Sequence, residues 1–380
     1  MGFTTTVSPV VEFGLRAIGI WPGSPRSMLY RIYWTISLSL AQIFQFKFIV
    51  TCIKTNNFPN LVDSVSTSLP YSLLCLKLII LWLNQRLFND ILTSISRDWR
   101  NCNSTVYNMR IMTNKANLSH RCSMLIISVY FMAVIVYISV IIEFNNINVD
   151  SVEKELFLKM QFPFVYEFFP VYEIVMFVQF VQLLSNASVI GMLDALVITL
   201  ILHVSGQIDI VCRGLLELFS GKREYKDATS AIIRKHQDII VLSDNIENLF
   251  SYIALLQFLT NTLVICGIAF AIVTSIQTHQ GYALLLKSLF FYIAITLEAF
   301  IFCFAGEHLS NKSRSIANTA YEALWYNAKP SESRILLILM LRSQKRLTLT
   351  IGKFDDLSLE VFADILKASA SYVSVLLAMF

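Results

Sequence analysis

The sequence is poor in charged residues, glycine and proline. Only 15% of its 380 residues are charged, against about 25% in a soluble domain. There are 12 glycines and 8 prolines, and no short alternating segments separated by turn-rich spacers. These absences exclude an ordinary soluble domain and a transmembrane β-barrel. Hydrophobic residues make up 56% of the chain, which is typical of an α-helical protein that crosses the membrane several times.

Patterns typical of metal, redox or catalytic sites are also missing. The seven cysteines are scattered without a CxxC pair, and the five histidines form no HExxH motif. We therefore expect reduced packing cysteines, no metal and no cofactor. Asp194 and His203 are interpreted as buried hydrogen-bonding residues rather than a catalytic pair, so we do not expect an enzyme. We do not expect a partner nucleic acid either.

Seven apolar stretches of roughly 20 residues are long enough to cross a bilayer. They are predicted at 32–53, 65–83, 122–142, 171–204, 252–276, 283–305 and 362–380. The fourth is longer than a bilayer needs, and Pro70 lies inside the second. The sequence thus predicts an all-α membrane protein with seven transmembrane helices.

The distribution of basic residues predicts how these helices are oriented. Lysine and arginine are concentrated in the N-terminal segment and in the loops after the second, fourth and sixth spans. The opposite side has only Lys54, Lys154, Lys159 and Lys287. The positive-inside rule therefore places the N-terminus in the cytoplasm and the C-terminus outside the cell. Glycosylation sequons at Asn103 and Asn117 then lie inside, whereas the opposite topology would expose both.

The inner loops contain helical patterns of their own. Ile239, Leu242, Ile246 and Leu249 recur at three- and four-residue steps ahead of the fifth span. The run "RILLILMLR" is apolar but too short to cross a membrane. We predict that such helices leave the membrane and pack together as a cytoplasmic anchor. The predicted organisation is a cytoplasmic segment at 1–31, transmembrane helices one to six at 32–305, anchor helices at 306–360 and helix seven at 361–380.

The last span has a polar stripe. On a helical wheel one arc of roughly 100° collects charged, hydroxylic and small residues, namely Glu360, Asp364, Lys367, Ser371, Ser374, Val375 and Ala378. Ionisable groups in hydrocarbon are costly and usually face a bundle interior or water. One interpretation is that the small residues only let this helix pack against neighbours. The other is that several copies surround a water-filled path, with charges and hydroxyls at its inner end and an apolar gate near its outer end.

The C-terminal residues resemble those of insect odorant receptors. The resemblance is carried by "YEALWY", which contains Trp325 and Tyr326, and by "RSQK", "LTLTIGKF", "LSLEVF" and a final "SY". The wording of this tail is most similar to receptors of ants, bees and wasps. The N-terminal two-thirds resembles the family only in span count, orientation and loop lengths.

This resemblance implies a subunit of an odorant-gated, non-selective cation channel. Members assemble as heterotetramers with a shared co-receptor, in the plasma membrane of olfactory neuron dendrites, where permeant cations cross the bilayer. The implied gate is Val375, flanked by the pore-facing Ser371, Ser374 and Ala378, with Asp364 and Lys367 at the inner end. The cytoplasmic anchor would contain Trp325, Tyr326 and Arg342.

The resemblance also implies a ligand pocket in the outer half, among helices two, three, four and six. Those halves supply Leu69, Tyr71, Leu73, Tyr137, Ile138, Ile141, Tyr172, Phe177, Phe180, Phe291, Tyr292 and Thr296. A pocket of this composition would bind by shape and buried apolar area. We therefore expect a small neutral volatile ligand.

Two other functions of a seven-span protein remain open from the residues. A receptor that signals through a G protein is disfavoured by the predicted orientation and by the lack of DRY-type and NPxxY-type motifs. Glycosylation mapping at Asn103 and Asn117 would separate the two topologies. A transporter would favour helices interrupted by glycine or proline at matching places in two halves, and only Pro70 interrupts a span.

Overall fold

The computed structural model describes residues 6–102, 105–147, 156–166, 168–218, 225–277, 282–323, 325–327 and 329–378. Ten α-helices account for most of this chain. They are α1 (Pro9–Ala17), α2 (Ser27–Lys54), α3 (Phe58–Leu83), α4 (Gln85–Cys102), α5 (Val106–Ile147), α6 (Val171–Glu217), α7 (Tyr225–Gln277), α8 (Tyr282–Glu322), α9 (Pro330–Gln344) and α10 (Leu359–Ala378). A 3-10 helix at Trp325–Asn327 and two short strands, β1 (Thr350–Ile351) and β2 (Asp355–Asp356), complete the described elements.

The prediction of an all-α membrane protein is confirmed. Within the described residues, α2, α3, α5, α6, α7 and α8 are each long and apolar enough to cross a membrane. They contain the first six predicted spans. The seventh predicted span corresponds to α10, while Met379 and Phe380 lie outside the described residues.

Helix α6 is the centre of the bundle. It packs against α1, α5, α7 and α8, and its residues from 186 to 208 are almost all buried. Where it extends beyond the membrane, a helix that is apolar around its whole circumference must be covered by protein on every side. This explains why the fourth predicted span exceeded a bilayer's thickness: α6 continues beyond the membrane-spanning length as a buried helix.

Helix α4 lies in the basic loop that the sequence predicts after the second span, where no helix is predicted. Its apolar residues Phe88, Ile91, Ile95 and Trp99 recur at steps of three and four, and all are buried. Most of the remaining positions are polar, so the segment has an amphipathic pattern without the hydropathy of a span. The rest of the predicted loop forms the beginning of α5.

Between α8 and α10 the chain makes a compact connection. Helix α9 packs on α8, and the antiparallel hairpin of β1 and β2 packs on α7. The Gly352 N–H donates to the Ser251 carbonyl oxygen at 3.0 Å. Gly306 in α8 permits close approach of this segment, because a Cβ there would collide with the backbone carbonyl of Leu357. These contacts fix the start of α10.

A buried polar network ties the N-terminal segment to three helices at the end predicted to be cytoplasmic. Asp98 in α4 contacts His203 Nε2 of α6 at 3.1 Å and accepts a hydrogen bond from Lys235 Nζ of α7 at 2.6 Å. The other nitrogen of His203 lies 2.7 Å from Thr6 Oγ1, which also accepts from the Trp99 indole at 2.9 Å. His203 therefore acts as the buried hydrogen-bonding residue that the sequence analysis expected.

Replacing Asp98 by asparagine should destabilise the protein by roughly 1.5–3 kcal/mol, since it removes the charged partner of Lys235 and His203. Burial alone raises the pKa of the Asp98 carboxyl, but the hydrogen bond from His203 and the charge of Lys235 outweigh it and lower the pKa. The carboxylate's contribution is therefore present above the ordinary aspartate pKa of about 3.9 and is lost as the pH falls through the lowered value.

Unfolding in detergent at several pH values measures this effect, and Asp90→Asn on the exposed side of α4 is the matched control. The difference between the two variants should be greatest near neutral pH and should shrink below about pH 4. Equal stabilities of the two variants at pH 7 would contradict the role given to Asp98.

Candidate functional site

A cavity of about 110 Å³ lies between α3, α5, α6 and α8. Each of these helices contributes residues at i, i+3, i+4 and i+7, which is the spacing of one helical face. The sets are Thr67, Pro70, Tyr71 and Leu74; Tyr130, Ala133, Val134 and Tyr137; Leu183, Asn186, Ala187 and Ile190; and Phe291, Ala294, Ile295 and Glu298. Leu158, from the segment between α5 and α6, completes the wall.

The wall is mainly apolar and aromatic. An apolar cavity of roughly 150 Å³ in another protein holds benzene, so this one, at about 110 Å³, is slightly too small for a molecule of that size unless its wall adjusts. A larger ligand would require its side chains to move. Binding would come chiefly from removing apolar surface from water, at roughly 25 cal/mol per Å².

One side of the cavity is closed by the segment 156–166. The Gln179 side chain holds Leu158 on both sides, accepting from its N–H and donating to its carbonyl oxygen, each at 3.1 Å. The Tyr137 hydroxyl donates to the Phe157 carbonyl oxygen at 2.8 Å. Lys159 pairs with Asp63 of α3 at 2.8 Å. The segment is thus attached to α3, α5 and α6, the helices that form three walls of the cavity.

A buried ion pair lies at the cavity wall. Lys77 Nζ of α3 donates to Glu298 Oε1 of α8 at 2.5 Å, and the two side chains are 2% and 3% exposed. Nearby, the Tyr130 hydroxyl of α5 donates to Asp194 Oδ2 of α6 at 2.7 Å. The first contact joins α3 to α8 and the second joins α5 to α6, so each of the four cavity helices takes part in one of these polar contacts.

None of the twelve residues predicted from the sequence to line the pocket is charged, yet Glu298 lines it. The signal was present, because Lys77 lies in "LLCLKLII" and Glu298 in "AITLEAFIF". An ionisable residue inside an apolar span usually has a partner or a function.

Of the twelve residues proposed for the ligand pocket, the structure places Tyr71, Tyr137 and Phe291 on the cavity wall. The other nine lie elsewhere: Leu69, Leu73, Ile138, Ile141, Tyr172, Phe177, Phe180, Tyr292 and Thr296. Leu73, Ile138 and Ile141 are buried between helices, and Phe177 is 66% exposed. Leu69 and Tyr292 pack toward α7 and α10, and Phe180 packs against Ile138 and Ile141. The Tyr172 hydroxyl accepts from Asn145 at 3.1 Å, and Thr296 lies on another face of α8.

The residues predicted to line the pocket differ from those that line the cavity for two reasons: the face of each helix that borders the cavity, and the position of the cavity along each helix. Leu69, Tyr71 and Leu73 alternate, which is a strand spacing, whereas a helix face repeats at three and four. On α5 the cavity extends from the proposed Tyr137 about two turns back to Tyr130, and on α6 it begins about one turn beyond Phe180. Hydropathy identifies the four segments but contains no information on which face of a uniformly apolar helix borders a cavity.

The polar stripe of α10 faces away from its own protomer. Asp364 and Lys367 pair at 3.0 Å, and their side chains are 61% and 76% exposed. Ser371, Ser374 and Val375 are also exposed, while the opposite face buries Ile365, Ser369 and Val373 against the bundle. The side chain of Ala378 lies outside the described residues. The stripe is therefore available to a neighbouring subunit or to water.

The three proposed anchor residues lie between α8 and α9 or on α9. Trp325 is half-buried, with ring centroids 6.4 Å from Tyr321 and 6.2 Å from Tyr326. Tyr326 is 66% exposed, and Arg342 in the last turn of α9 is exposed near His236.

Comparison with known proteins gives consistent matches. A family model described as 7tm odorant receptor matches residues 57–370. Odorant receptor 22c of Drosophila melanogaster is 26% identical over 153 residues, which are 40% of this chain and 37% of that protein. Odorant receptor 10 of Aedes albopictus is 30% identical over 159 residues, 41% of each chain. The odorant receptor coreceptor of Ooceraea biroi is 28% identical over 145 residues, 38% of this chain and 30% of that protein. The chain thus aligns with less than half the length of these relatives.

Two solved structures share the fold. The insect olfactory receptor OR5 from Machilis hrabei in complex with eugenol superposes with a TM-score of 0.82 at 14% identity, covering 97% of both chains. The same receptor described without that ligand gives a TM-score of 0.78 at 15% identity, again over 97% of both chains. At these identities the likeness establishes the fold.

Proposed function

Since this chain belongs to the odorant receptor family, we propose that it is the ligand-binding subunit of an odorant-gated, non-selective cation channel. The observation that carries the proposal is the exposed stripe of α10, which has charged and hydroxylic residues where a lipid-facing helix would be apolar. Several protomers arranged around this stripe would enclose a hydrated path. An enzyme is not indicated, because the family is one of receptors.

The proposed ligand is a small neutral volatile bound in the cavity between α3, α5, α6 and α8. The supporting observations are the apolar lining and the mutual neutralisation of Lys77 and Glu298. A ligand opens the channel only as far as it binds the open state more tightly than the closed state. Helices α7 and α8 both contact α10, so they are the proposed connection between cavity and gate.

The proposed partner is the family's co-receptor, in a heterotetramer in the plasma membrane of olfactory sensory neuron dendrites. Its basis is the resemblance of the C-terminal tail and the similarity to insect co-receptors. In this proposal 1–31 and 306–360 are cytoplasmic, 32–305 contains the ligand-binding helices and 361–380 lines the pore. The exposed Tyr326 and Arg342 would lie at subunit contacts.

Recording odorant-evoked current from cells that express the chain with and without the co-receptor tests this function. We expect current with the co-receptor present, carried by Na⁺ and K⁺ alike. Silence in both conditions, with delivery to the cell surface confirmed, would exclude the channel function.

Val375→Ala should raise the resting current of the channel by up to about tenfold. The change removes two methyl-sized groups from an apolar constriction, each worth about 0.8 kcal/mol of dewetting. Val373→Ala, on the buried face of the same helix, is the control and should leave the resting current unchanged. If the two variants leak equally in a working channel, Val375 is not the gate.

A further inference from the structure

Two polar side chains on the cavity wall lack hydrogen-bond partners. Asn186 of α6 is 5% exposed and Tyr71 of α3 is 8% exposed, and both line the cavity. The amide oxygen and nitrogen of Asn186 and the hydroxyl of Tyr71 are all buried without a hydrogen bond. The Tyr71 hydroxyl and the Asn186 amide lie at the margin of hydrogen-bonding range from each other, but the geometry of the pair falls short of a hydrogen bond.

The other polar groups of the wall already have partners. Tyr130 donates to Asp194 and Tyr137 donates to the Phe157 carbonyl oxygen. Thr67 donates to carbonyl oxygens of the preceding turn, at 3.0 and 3.1 Å, and Glu298 pairs with Lys77. Among the polar lining residues, the unsatisfied groups are therefore concentrated on Tyr71 and Asn186.

Leaving these atoms unpaired is costly. A buried amide or hydroxyl without a hydrogen bond costs about 1–3 kcal/mol in proteins, and most such groups have a protein or water partner. The assignment of oxygen and nitrogen within the Asn186 amide does not affect the argument, because neither atom is paired. Whatever occupies this part of the cavity must offer both a donor and an acceptor.

We propose that the ligand carries a hydroxyl group that hydrogen-bonds to Asn186 and Tyr71, with an apolar body against the rest of the wall. The inference rests on the proposed function and narrows its ligand class to neutral alcohols and phenols. A hydroxyl donates to the amide oxygen and accepts from the amide nitrogen or the Tyr71 hydroxyl, whereas an ether or carbonyl only accepts. A carboxylate is disfavoured, because Lys77 is already paired with Glu298 and a buried anion would have no counter-charge of its own.

A bound water in the empty receptor would make the same bonds. An alcohol that displaces it reproduces those bonds, while a hydrocarbon that displaces it does not. The preference for a hydroxyl therefore holds whether the cavity is dry or hydrated before the ligand enters.

The test uses two sets of probes matched in the number of non-hydrogen atoms: benzyl alcohol, anisole and ethylbenzene, and hexanol, methyl pentyl ether and heptane. Half-maximal concentrations are measured for current from the full chain with its co-receptor, and for ligand-dependent stabilisation of the purified complex. The wild-type protein should prefer each alcohol to its matched ether and hydrocarbon by about fivefold or more.

Tyr71→Phe removes only the hydroxyl, and Asn186→Leu removes the amide at similar volume. Each should reduce the alcohol's advantage by about fivefold while changing the hydrocarbon's half-maximal concentration by less than about twofold. An equal loss for all three probes in both variants would mean that the residues only pack, and it would overturn the inference. Equal binding of alcohols and hydrocarbons to the wild-type protein would overturn it as well.

A cavity-filling variant separates this inference from the function beneath it. If Ala187→Phe leaves all responses intact, the cavity is not the ligand site. Both the proposed ligand-binding site and the proposed hydroxyl-bearing ligand are then wrong. If Ala187→Phe abolishes the responses while Tyr71→Phe and Asn186→Leu leave the alcohol preference unchanged, only the hydroxyl inference fails.

Discussion

Replacing Lys77 by methionine should destabilise the protein by about 3–5 kcal/mol. The substitution keeps most of the side-chain volume but leaves Glu298 buried without its counter-charge, and breaking one half of a buried pair has this cost. Lys77 is also 5.6 Å from the centroid of the Phe302 ring, so a second favourable contact of the ammonium is lost. Because the pair joins α3 to α8, ligand responses should weaken along with stability.

The double variant Lys77→Met, Glu298→Gln should recover much of this loss, since neither side chain then carries a charge. Lys54→Met, at the exposed end of α2, is the control for the same chemical change on the surface. The measurement is unfolding by heat or denaturant in detergent, with the four proteins compared at one pH. If Lys77→Met is as stable as Lys54→Met, the ion pair contributes nothing that the fold requires.

Replacing Ala187 by phenylalanine should reduce the potency of every ligand by about a hundredfold or more. The added ring is the size of the benzene that a cavity of roughly 150 Å³ accommodates, and this cavity measures about 110 Å³. A ligand that cannot enter loses the burial of its apolar surface at roughly 25 cal/mol per Å². The inserted ring itself costs about 1–3 kcal/mol by overpacking, which the fold can tolerate.

The matched control is Val178→Phe, which adds a ring on the exposed face of the same helix. Both variants must be shown at the cell surface before currents are compared. We expect full responses from Val178→Phe and none from Ala187→Phe. A normal dose–response curve from Ala187→Phe would show that ligands bind elsewhere.

The sequence correctly predicts the structural elements that can be recognised from hydropathy. Six apolar segments coincide with helices that can cross a membrane, and the wheel of the last span places Asp364, Lys367 and Ser371 on a face that the structure leaves exposed. In both instances the order of apolar and polar residues along the chain follows directly from whether each side chain is in contact with lipid, with protein or with water.

The features of the fold and of the cavity that the sequence does not predict depend mostly on contacts between distant segments. Lys77 and Glu298 are 221 positions apart, so no local pattern shows that they pair. Residues 183–190 of α6 lie in a helix that is apolar on every face, and only the positions of α3, α5 and α8 determine which face borders the cavity. Helix α4 was missed for a different reason, because a search for spans disregards amphipathic segments of low hydropathy.

The length of α7 has a mechanical consequence. Its 53 residues contain no proline and, at about 1.5 Å each, form a rod of about 80 Å. Toward its C-terminal end it meets α3, where Gly267 lies against Ser66, and toward its N-terminal end Lys235 donates to Asp98 of α4 at 2.6 Å. At its midpoint Ser251 bonds to Thr350 of the hairpin at 2.9 Å, and a few turns further on the carbonyl oxygen of Thr262 accepts from Ser369 of α10. One degree of tilt about the midpoint would displace each end by about 0.7 Å in opposite directions. A few degrees of tilt would thus exchange one set of side-chain contacts for another toward both ends of the helix, while the contacts near its midpoint stay in place.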